Sequence, residues 1–317
     1  MHNFTTPSCF YPDLIELLGE TSRVIAPVRD ADGAIRLREI FSHTEIVAGA
    51  RAMIPLKKYL LPGGERIWFQ SQDHACEQKP HDSLAIIGLP PCDIESVTLL
   101  DQVLGDDPGY RARRRNLTLV ATPCTPDDDC RCQLETFPAC DMFVDEKVVW
   151  TLSPRGKQLA QKLKCKPLAE KTPLPVASLP ERAPLTANLA HRFTSCSEEP
   201  RWAEMASRCI SCGACSAVCP TCFCYDLRDS CDLGGESYRE RRWDNCLFSD
   251  FARVAGDHDF RSGTSNRLQF RMRHKLLGFG SQQGPSCLGC GRCRHYCPVD
   301  IGPEWLLDCM QAQANSP

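Results

Sequence analysis

The spacing of hydrophobic and polar residues predicts a mixed α/β fold for the first half of the chain. Residues 83–89 form a short apolar run, which is typical of a buried strand. Apolar residues then recur with a helical period over residues 94–104, and Asp93 is placed to cap that helix. Residues 117–121 predict the next strand. A strand, a helix and a strand within about 40 residues indicate a βαβ unit with locally parallel strands.

Antiparallel hairpins are predicted on either side of this unit. Residues 28–37 alternate around an Asp-Gly dipeptide, which favours a tight turn. A second hairpin is centred on Asp145-Glu146, between two short apolar runs. A helical pattern over residues 153–163 then closes a domain that we place at residues 1–166.

A proline-rich segment separates this domain from the rest of the chain. Five prolines fall within residues 167–184, and proline is excluded from helix interiors and central strands. We therefore predict a linker at residues 167–185. The remaining residues, 186–317, have few strand signals and contain the main cysteine motifs.

Cysteine is the outlier of the composition, with 22 in 317 residues. Disulfide-rich proteins are mostly small secreted domains, whereas this chain is long and begins without the basic and apolar regions of a secretion signal. No stretch approaches the roughly 20 apolar residues that span a bilayer. These observations favour metal ligation in a reducing cytoplasm, without membrane insertion. The net charge of −3 gives no support to nucleic-acid binding.

Two cysteine runs share the spacing C-x2-C-x2-C-x3-C-P, which is typical of bacterial ferredoxins that hold two [4Fe–4S] clusters. In such proteins the first three cysteines of a run bind one cluster and the fourth binds the other. The spacing therefore assigns one cluster to Cys209, Cys212, Cys215 and Cys297, and the second to Cys287, Cys290, Cys293 and Cys219. The alternative is a zinc-stabilised scaffold, but zinc sites usually take only four ligands, in two C-x2-C pairs.

The 67 residues between Cys219 and Cys287 exceed the gap of a compact ferredoxin repeat. They include Arg239, Arg241, Arg242 and Trp243 and, in addition, a polar segment for which we predict a helix. This gap favours helices rather than a small sheet around the clusters. The predicted fold class is thus α+β: a mixed α/β domain followed by a helical two-cluster ferredoxin-like domain.

Four further cysteines follow the two predicted parallel strands. Because ligands collect at the carboxyl ends of strands in open α/β sheets, these thiols could bind a third iron–sulfur cluster. The four are Cys92, Cys124, Cys130 and Cys132. The alternative is that they are ordinary loop cysteines, since the acidic run at residues 127–129 disfavours an anionic cluster nearby. Both interpretations remain open.

Three further cysteines and two basic segments also have two interpretations each. Cys222 and Cys224, directly after the first run, either extend a cluster environment or pack in the core, with packing favoured, and Cys246 is either packed or a ligand. The basic segments at residues 111–115 and 267–275 either lie near an anionic cluster or an acidic partner, or form solvated helix faces.

Several segments resemble one family over residues of about 80–305. They are PCD at 91–93, CPTCFCYD at 219–226, RWD at 242–244, AGDHDFR at 255–261 and CLGCGRC at 287–293. Together they are similar to the iron–sulfur subunit shared by two complexes. In cytoplasmic nickel–iron sulfhydrogenase it is the beta subunit, and in anaerobic sulfite reductase it is the first of three subunits. Related subunits accompany heterodisulfide-reductase modules.

The resemblance implies an electron-transfer subunit that is not itself catalytic. Such subunits relay electrons through [4Fe–4S] clusters from or to a flavin-containing NAD(P)H subunit or a ferredoxin-linked reductase. The other partner is a catalytic subunit of hydrogenase, sulfite reductase or heterodisulfide-reductase type. A rival hypothesis is a self-sufficient reductase that binds flavin or substrate in its first domain. The absence of a glycine-rich phosphate loop counts against that hypothesis.

Overall fold

Helices and strands are distributed along the whole described part of the chain. The computed structural model describes residues 2–70, 75–76, 82–134, 139–170, 172–174, 177–178, 200–231, 233, 236–279 and 282–303. The helices are α1 (Phe10–Gly19), α2 (Lys57–Leu60), α3 (Pro91–Leu104), α4 (Pro108–Arg115), α5 (Pro154–Lys162), α6 (Pro200–Arg208), α7 (Ala214–Ala217), α8 (Thr264–Leu277) and α9 (Arg292–His295). Among these described helices, none has the length and apolar character needed to cross a membrane.

The strands are short, and most belong to two larger sheets. They are β1 (His2–Thr5), β2 (Arg23–Arg29), β3 (Ile35–Glu39), β4 (Gly64–Gln70), β5 (Ala75–Cys76), β6 (Leu84–Leu89), β7 (Leu117–Ala121), β8 (Gln133–Leu134), β9 (Met142–Val144), β10 (Val148–Thr151), β11 (Ala177–Ser178), β12 (Tyr225–Cys231), β13 (Ser237–Trp243), β14 (Arg253–Val254), β15 (His258–Asp259), β16 (Gly278–Phe279) and β17 (Gln282–Gln283).

The first of these sheets has seven described strands in the order β1-β10-β9-β7-β6-β2-β3. β2 and β7 lie on either side of β6 and run parallel to it. This confirms the predicted βαβ unit, with α4 as a second helix in the crossover that the apolar pattern did not reveal. The two predicted hairpins are confirmed as β2–β3 and β9–β10.

One face of this sheet buries the apolar sides of α1 and α5. Leu14 and Leu18 of α1 pack with Ala160 of α5 against inward-facing sheet residues such as Ile87 and Val120. Burying a leucine side chain contributes roughly 2 kcal/mol. The helix predicted for residues 153–163 is confirmed as α5. It packs against the sheet whose strands β6 and β7 precede Cys92 and Cys124.

Gly156, in the first turn of α5, has no room for a side chain. A methyl group there would overlap the backbone carbonyl of Asp141. We expect Gly156→Ala to lower the free energy of unfolding by about 3 kcal/mol, because the backbone must shift to relieve the overlap. Denaturant unfolding measures the change. The control is Gly19→Ala, where the added methyl meets open space. Equal losses in the two variants would contradict the proposed overlap.

Glu95, in α3, is a half-buried carboxyl whose Oε2 atom has no hydrogen-bond partner among the described residues. Burial raises the pKa of Glu95 to about 7. The folded chain therefore retains a proton that the unfolded chain releases near pH 4.5. The resulting stabilisation is complete below pH 4.5 and is lost as the pH rises through about 7.

We accordingly expect Glu95→Gln to stabilise the protein at pH 8 and to have little effect at pH 4.5. The gain at pH 8 should be about 1 kcal/mol once partial exposure is allowed for. Thermal unfolding at several pH values tests this, with the exposed Glu16→Gln as control. A difference between Glu95→Gln and the natural chain that does not vary with pH would argue against a protonated Glu95.

The chain divides into two units that are not continuous in sequence. The first comprises residues 1–61, 79–127 and 132–179, and the second comprises residues 62–78, 128–131 and 180–317. Within the predicted linker, β11 pairs with β8 in the first unit, whereas residues 179–185 lie outside the described residues. The predicted bounds, 1–166, 167–185 and 186–317, stay a prediction.

The second unit contains an antiparallel sheet in the order β12-β13-β4-β5. The polar helical segment predicted between Cys219 and Cys287 is confirmed as α8. The residues around Arg239 and Trp243 form strand β13, which the local pattern did not predict, because its partner strand lies far away in the sequence. Arg241 of β13 donates to Glu65 of β4 across 176 residues, and both side chains are almost fully buried. A local pattern cannot reveal that pairing.

Candidate metal centre

The two cysteine runs adopt the same backbone conformation. The residue before the second cysteine of each run, Ser211 or Gly289, has a positive φ, and so does the glycine after it, Gly213 or Gly291. Each of these glycines then begins a short helix, α7 in the first run and α9 in the second. The repeated sequence thus folds into a repeated loop.

Close packing adds to the need for glycine in both loops. A Cβ on Gly213 would lie 2.6 Å from the side-chain nitrogen Nδ2 of Asn245 and 2.8 Å from the ring of Phe248. A Cβ on Gly291 would lie 2.6 Å from Asp129. Since a larger residue would push these neighbours away, the glycines let each loop fold tightly around its thiols.

An apolar cluster between α6 and α8 supports the loops. Its buried members are Trp202, Met205, Leu247, Leu268, Met272, Leu276 and Ile301. Four motif cysteines, two from each run, pack against it. They are Cys209, Cys215, Cys287 and Cys297. One core therefore brings the two runs together.

Seven of the eight motif cysteines line one cavity in the second unit. They are Cys209, Cys212, Cys215, Cys219, Cys287, Cys293 and Cys297. Cys290 does not line this cavity and is 8% exposed. The fourth cysteine of each run thus lies in the same cavity as members of the opposite run, as an exchanged ligand requires. The assignment of individual ligands stays a prediction.

Two buried cations of α8 face this group of thiols. Arg271 donates to Ser216 Oγ at 2.6 Å, to the Cys215 carbonyl at 2.7 Å and to Cys222 Sγ at 3.5 Å. Lys275 donates to the carbonyl of Thr221 at 3.1 Å and to its hydroxyl at 2.9 Å. That hydroxyl lies 3.4 Å from Cys219 Sγ. The basic residues Arg271 and Lys275 therefore lie beside the thiols, while Arg273 is exposed.

Thiols and cations shift one another's protonation. Burial would lower the pKa of Lys275, but the negative charge of nearby thiolates, chiefly Cys219, raises it above its ordinary value. Burial raises the pKa of Cys215, against the opposing effect of Arg271. A hydrogen bond with Cys222 and burial together raise the pKa of Cys219. Crowded thiols that resist ionisation will release protons when a metal binds.

This donor set fits iron–sulfur clusters. The thiols converge on one cavity, glycine-rich loops wrap it, and two buried cations can offset the charge of thiolate-bound iron. Cluster ligation by cysteine thiolates uses these features, with hydrogen bonds and charge tuning the potential.

Three cysteines outside the runs also lie beside this centre, although the sequence favoured packing for two of them. Arg271 donates to Cys222 Sγ at 3.5 Å. Cys222 raises the pKa of Cys219, and Cys246 raises that of Cys224, so these thiols lie near one another. The hydrogen bond from Cys224 lowers the pKa of Cys246 to about 7, with Arg271 adding to the effect.

The four cysteines considered for a third cluster are divided between the units. Cys92, buried at the start of α3, and Cys124, after β7, follow adjacent parallel strands of the first unit, which also contains Cys132. Cys130 belongs to the second unit, in a segment that packs on Gly289 and Gly291. A third cluster stays a prediction.

The comparisons agree with this chemistry. The model of a 4Fe–4S dicluster domain matches residues 208–301. Over 324 aligned residues the chain is 29% identical to sulfhydrogenase 2 subunit beta of Pyrococcus furiosus, covering 94% of this chain and 95% of the relative. No solved structure matches the chain.

Three predictions are confirmed by these comparisons. The resemblance to the sulfhydrogenase beta subunit family is borne out, as is the two-cluster domain that follows a mixed α/β part. A 4Fe–4S dicluster domain supports two [4Fe–4S] clusters and a role in electron transfer. The likeness to the first subunit of anaerobic sulfite reductase stays a prediction.

Proposed function

From a chain that carries a 4Fe–4S dicluster domain and is similar throughout to a sulfhydrogenase beta subunit, we infer an electron-relay subunit of a larger oxidoreductase. Its own chemistry is one-electron transfer at two [4Fe–4S] clusters, which the bound iron supplies. One partner is a catalytic subunit of hydrogenase type. The other is a flavin-containing subunit that handles NAD(P)H, or a ferredoxin-linked reductase.

The observation that carries this proposal is the shared cavity. Thiols of both runs line it, so two clusters bound there would be close neighbours. Neighbouring clusters with buried cations beside them suit passage of single electrons from one cluster to the other. The rival hypothesis, a self-sufficient reductase, would in addition require a binding site for its substrate.

The different exposure of the two loops supports the first loop as the point where electrons enter or leave the chain. In the first loop Cys212 is exposed, and the neighbouring Ile210 is 63% exposed. In the second loop the equivalent Cys290 is 8% exposed. An exposed ligand next to an exposed apolar residue is a suitable point for electrons to enter or leave through a bound partner.

Reductive titration of the anaerobically purified chain, followed by electron paramagnetic resonance, tests the proposal. We expect two reducible iron centres and about eight iron atoms per chain. Absence of reducible iron would refute it. Copurification of the chain with its neighbours identifies the partners, including any sulfite-reductase or heterodisulfide-reductase type subunit.

Two rivals make different predictions for the same preparation. A self-sufficient reductase contains stoichiometric flavin, or turns over with the isolated chain. A zinc-stabilised scaffold contains zinc in place of iron.

The same iron analysis tests the third cluster. A third iron–sulfur cluster at Cys92, Cys124, Cys130 and Cys132 would raise the iron content to about twelve atoms per chain.

A further inference from the structure

Strand β12 is an outer strand of the sheet in the second unit. Within the described part of the chain it pairs only with β13, and nearly all of its residues are exposed. It carries two exposed apolar side chains, Tyr225 at 39% and Leu227 at 46%. An exposed edge strand is a template for pairing with another chain, because half of its backbone hydrogen-bonding groups point away from the sheet.

Alternation along the ladder shows which backbone groups of β12 point outward. The amide of Asp244 donates to the Cys224 carbonyl at 3.1 Å, so the backbone of Cys224 faces β13. Antiparallel strands alternate between hydrogen-bonded and non-hydrogen-bonded pairs, and every second residue after Cys224 therefore also faces β13. The residues between them direct their amide and carbonyl groups to the outer edge. They are Tyr225, Leu227, Asp229 and Cys231.

We propose that β12 pairs with β12 of a second copy of this chain, antiparallel and around a twofold axis. Leu227 lies on that axis, opposite Leu227 of the other copy. Tyr225 of each copy then pairs with Asp229 of the other through the outward backbone groups, and the two sheets become one continuous sheet. This inference goes beyond the proposed function and does not depend on it.

Charge complementarity selects this register. Asp226 and Arg228 lie on the same face of β12, where they form an ion pair at 2.8 Å. With Leu227 on the axis, Asp226 of each copy lies directly opposite Arg228 of the other. Moving the axis by one residue places Asp226 opposite itself or Arg228 opposite itself, and an axis at Asp229 places that carboxylate opposite itself. Like charges directly opposite each other destabilise a strand pair.

The other face of the strand also suits the pairing. There Leu227 meets its counterpart, which removes exposed apolar surface from water. The Tyr225 ring on this face lies against the buried guanidinium of Arg241, at 5.4 Å, and this contact holds the ring in place. An interface of one strand edge is small, so the dimer dissociates on dilution. It joins two copies through the units that contain the cysteine runs.

Sedimentation velocity of the anaerobically purified chain, over a range of concentrations, tests the interface. We expect the natural chain to dimerise as its concentration rises. Asp226→Arg and Arg228→Asp should each raise the dissociation constant at least about tenfold, because each variant places like charges opposite each other. An equimolar mixture of the two variants should form a heterodimer as tightly as the natural chain dimerises, since every charged pair across the axis is then of opposite sign.

Another ion pair of the second unit supplies the control. Asp250 and Arg253 are exposed and lie 3.5 Å apart, outside β12. Asp250→Arg and Arg253→Asp reverse charges as drastically as the two variants of β12. We expect each of them to dimerise like the natural chain.

Crosslinking tests the register separately. Residues in a hydrogen-bonded antiparallel pair have Cα atoms about 5.5 Å apart, which suits a disulfide. Leu227→Cys should therefore form a covalent dimer with oxidised glutathione. Asp229→Cys, which is exposed on the same strand, should form no more covalent dimer than the natural chain, because its counterpart lies opposite Tyr225 and not opposite itself.

Three results would overturn the inference. The first is a chain that stays monomeric at every concentration, including one whose β12 edge binds a different protein. The second is a mixture of the folded Asp226→Arg and Arg228→Asp variants that forms no heterodimer. The third is covalent dimer in equal amounts from Leu227→Cys and Asp229→Cys. If a charge variant fails to fold, the crosslinking comparison decides alone.

Discussion

Replacing Cys212 and Cys297 together by alanine should leave the protein with one intact cluster. We expect about four iron atoms per chain in this variant, compared with about eight in the natural chain. Both residues belong to the same predicted ligand set, because the fourth cysteine of each run is exchanged. The second cluster keeps Cys287, Cys290, Cys293 and Cys219. Iron and sulfide analysis of anaerobically purified protein gives the count.

The matched variant replaces Cys212 and Cys219, which removes one ligand from each predicted cluster. We expect it to lose nearly all of its iron. If each run instead held its own cluster, the two double variants would exchange results. A third double variant, Cys9→Ala with Cys231→Ala, removes two exposed cysteines outside the runs and should keep its full iron content.

Replacing Arg271 by glutamine should lower the midpoint potential of the first cluster. A reduced cluster carries one more negative charge, and the buried guanidinium beside Cys215 and Cys219 stabilises that charge. At a separation of about 7 Å and an effective dielectric constant of about 20, one charge is worth about 2 kcal/mol. That energy corresponds to roughly 100 mV. A redox titration followed by electron paramagnetic resonance measures the shift.

Three variants of the same helix make this prediction specific. Arg271→Lys keeps the charge and should shift the potential less. Arg273→Gln removes an exposed charge and should leave both potentials nearly unchanged. Lys275→Met should affect mainly the second cluster, since Lys275 interacts with Cys219 and Cys287. Unchanged potentials in Arg271→Gln, with full iron content, would show that this guanidinium does not tune the cluster.

The sequence predicted the strands, helices and loops whose formation depends on residues close together in the chain. The strands β6 and β7 and the helix α3 follow from apolar runs and periods within 40 or so residues. The two cysteine loops follow from a motif of 12 residues, because the positive φ angles and the short helix are encoded within the run itself. These predictions needed no information on tertiary contacts.

The features that the sequence did not predict, or left open, depend on distant contacts. Strand β13 was not predicted, because its partner strand β4, with Glu65, lies far upstream. Arg271 was left undecided, although it shares a helical face with Leu268 and Met272, and that phase would have placed it inside.

The contribution of β4 to the sheet of the second unit has a consequence for biosynthesis. Glu65 leaves the ribosome 176 residues before Arg241, its partner in the neighbouring strand. At typical elongation rates this is a delay of roughly 10–35 s, during which β5 is the only neighbour available to β4 in its described sheet. The predicted cluster ligands extend to Cys297, so both clusters can be completed only after nearly the whole polypeptide has been made. In addition, a fragment that begins at residue 186 would lack a strand of its own sheet.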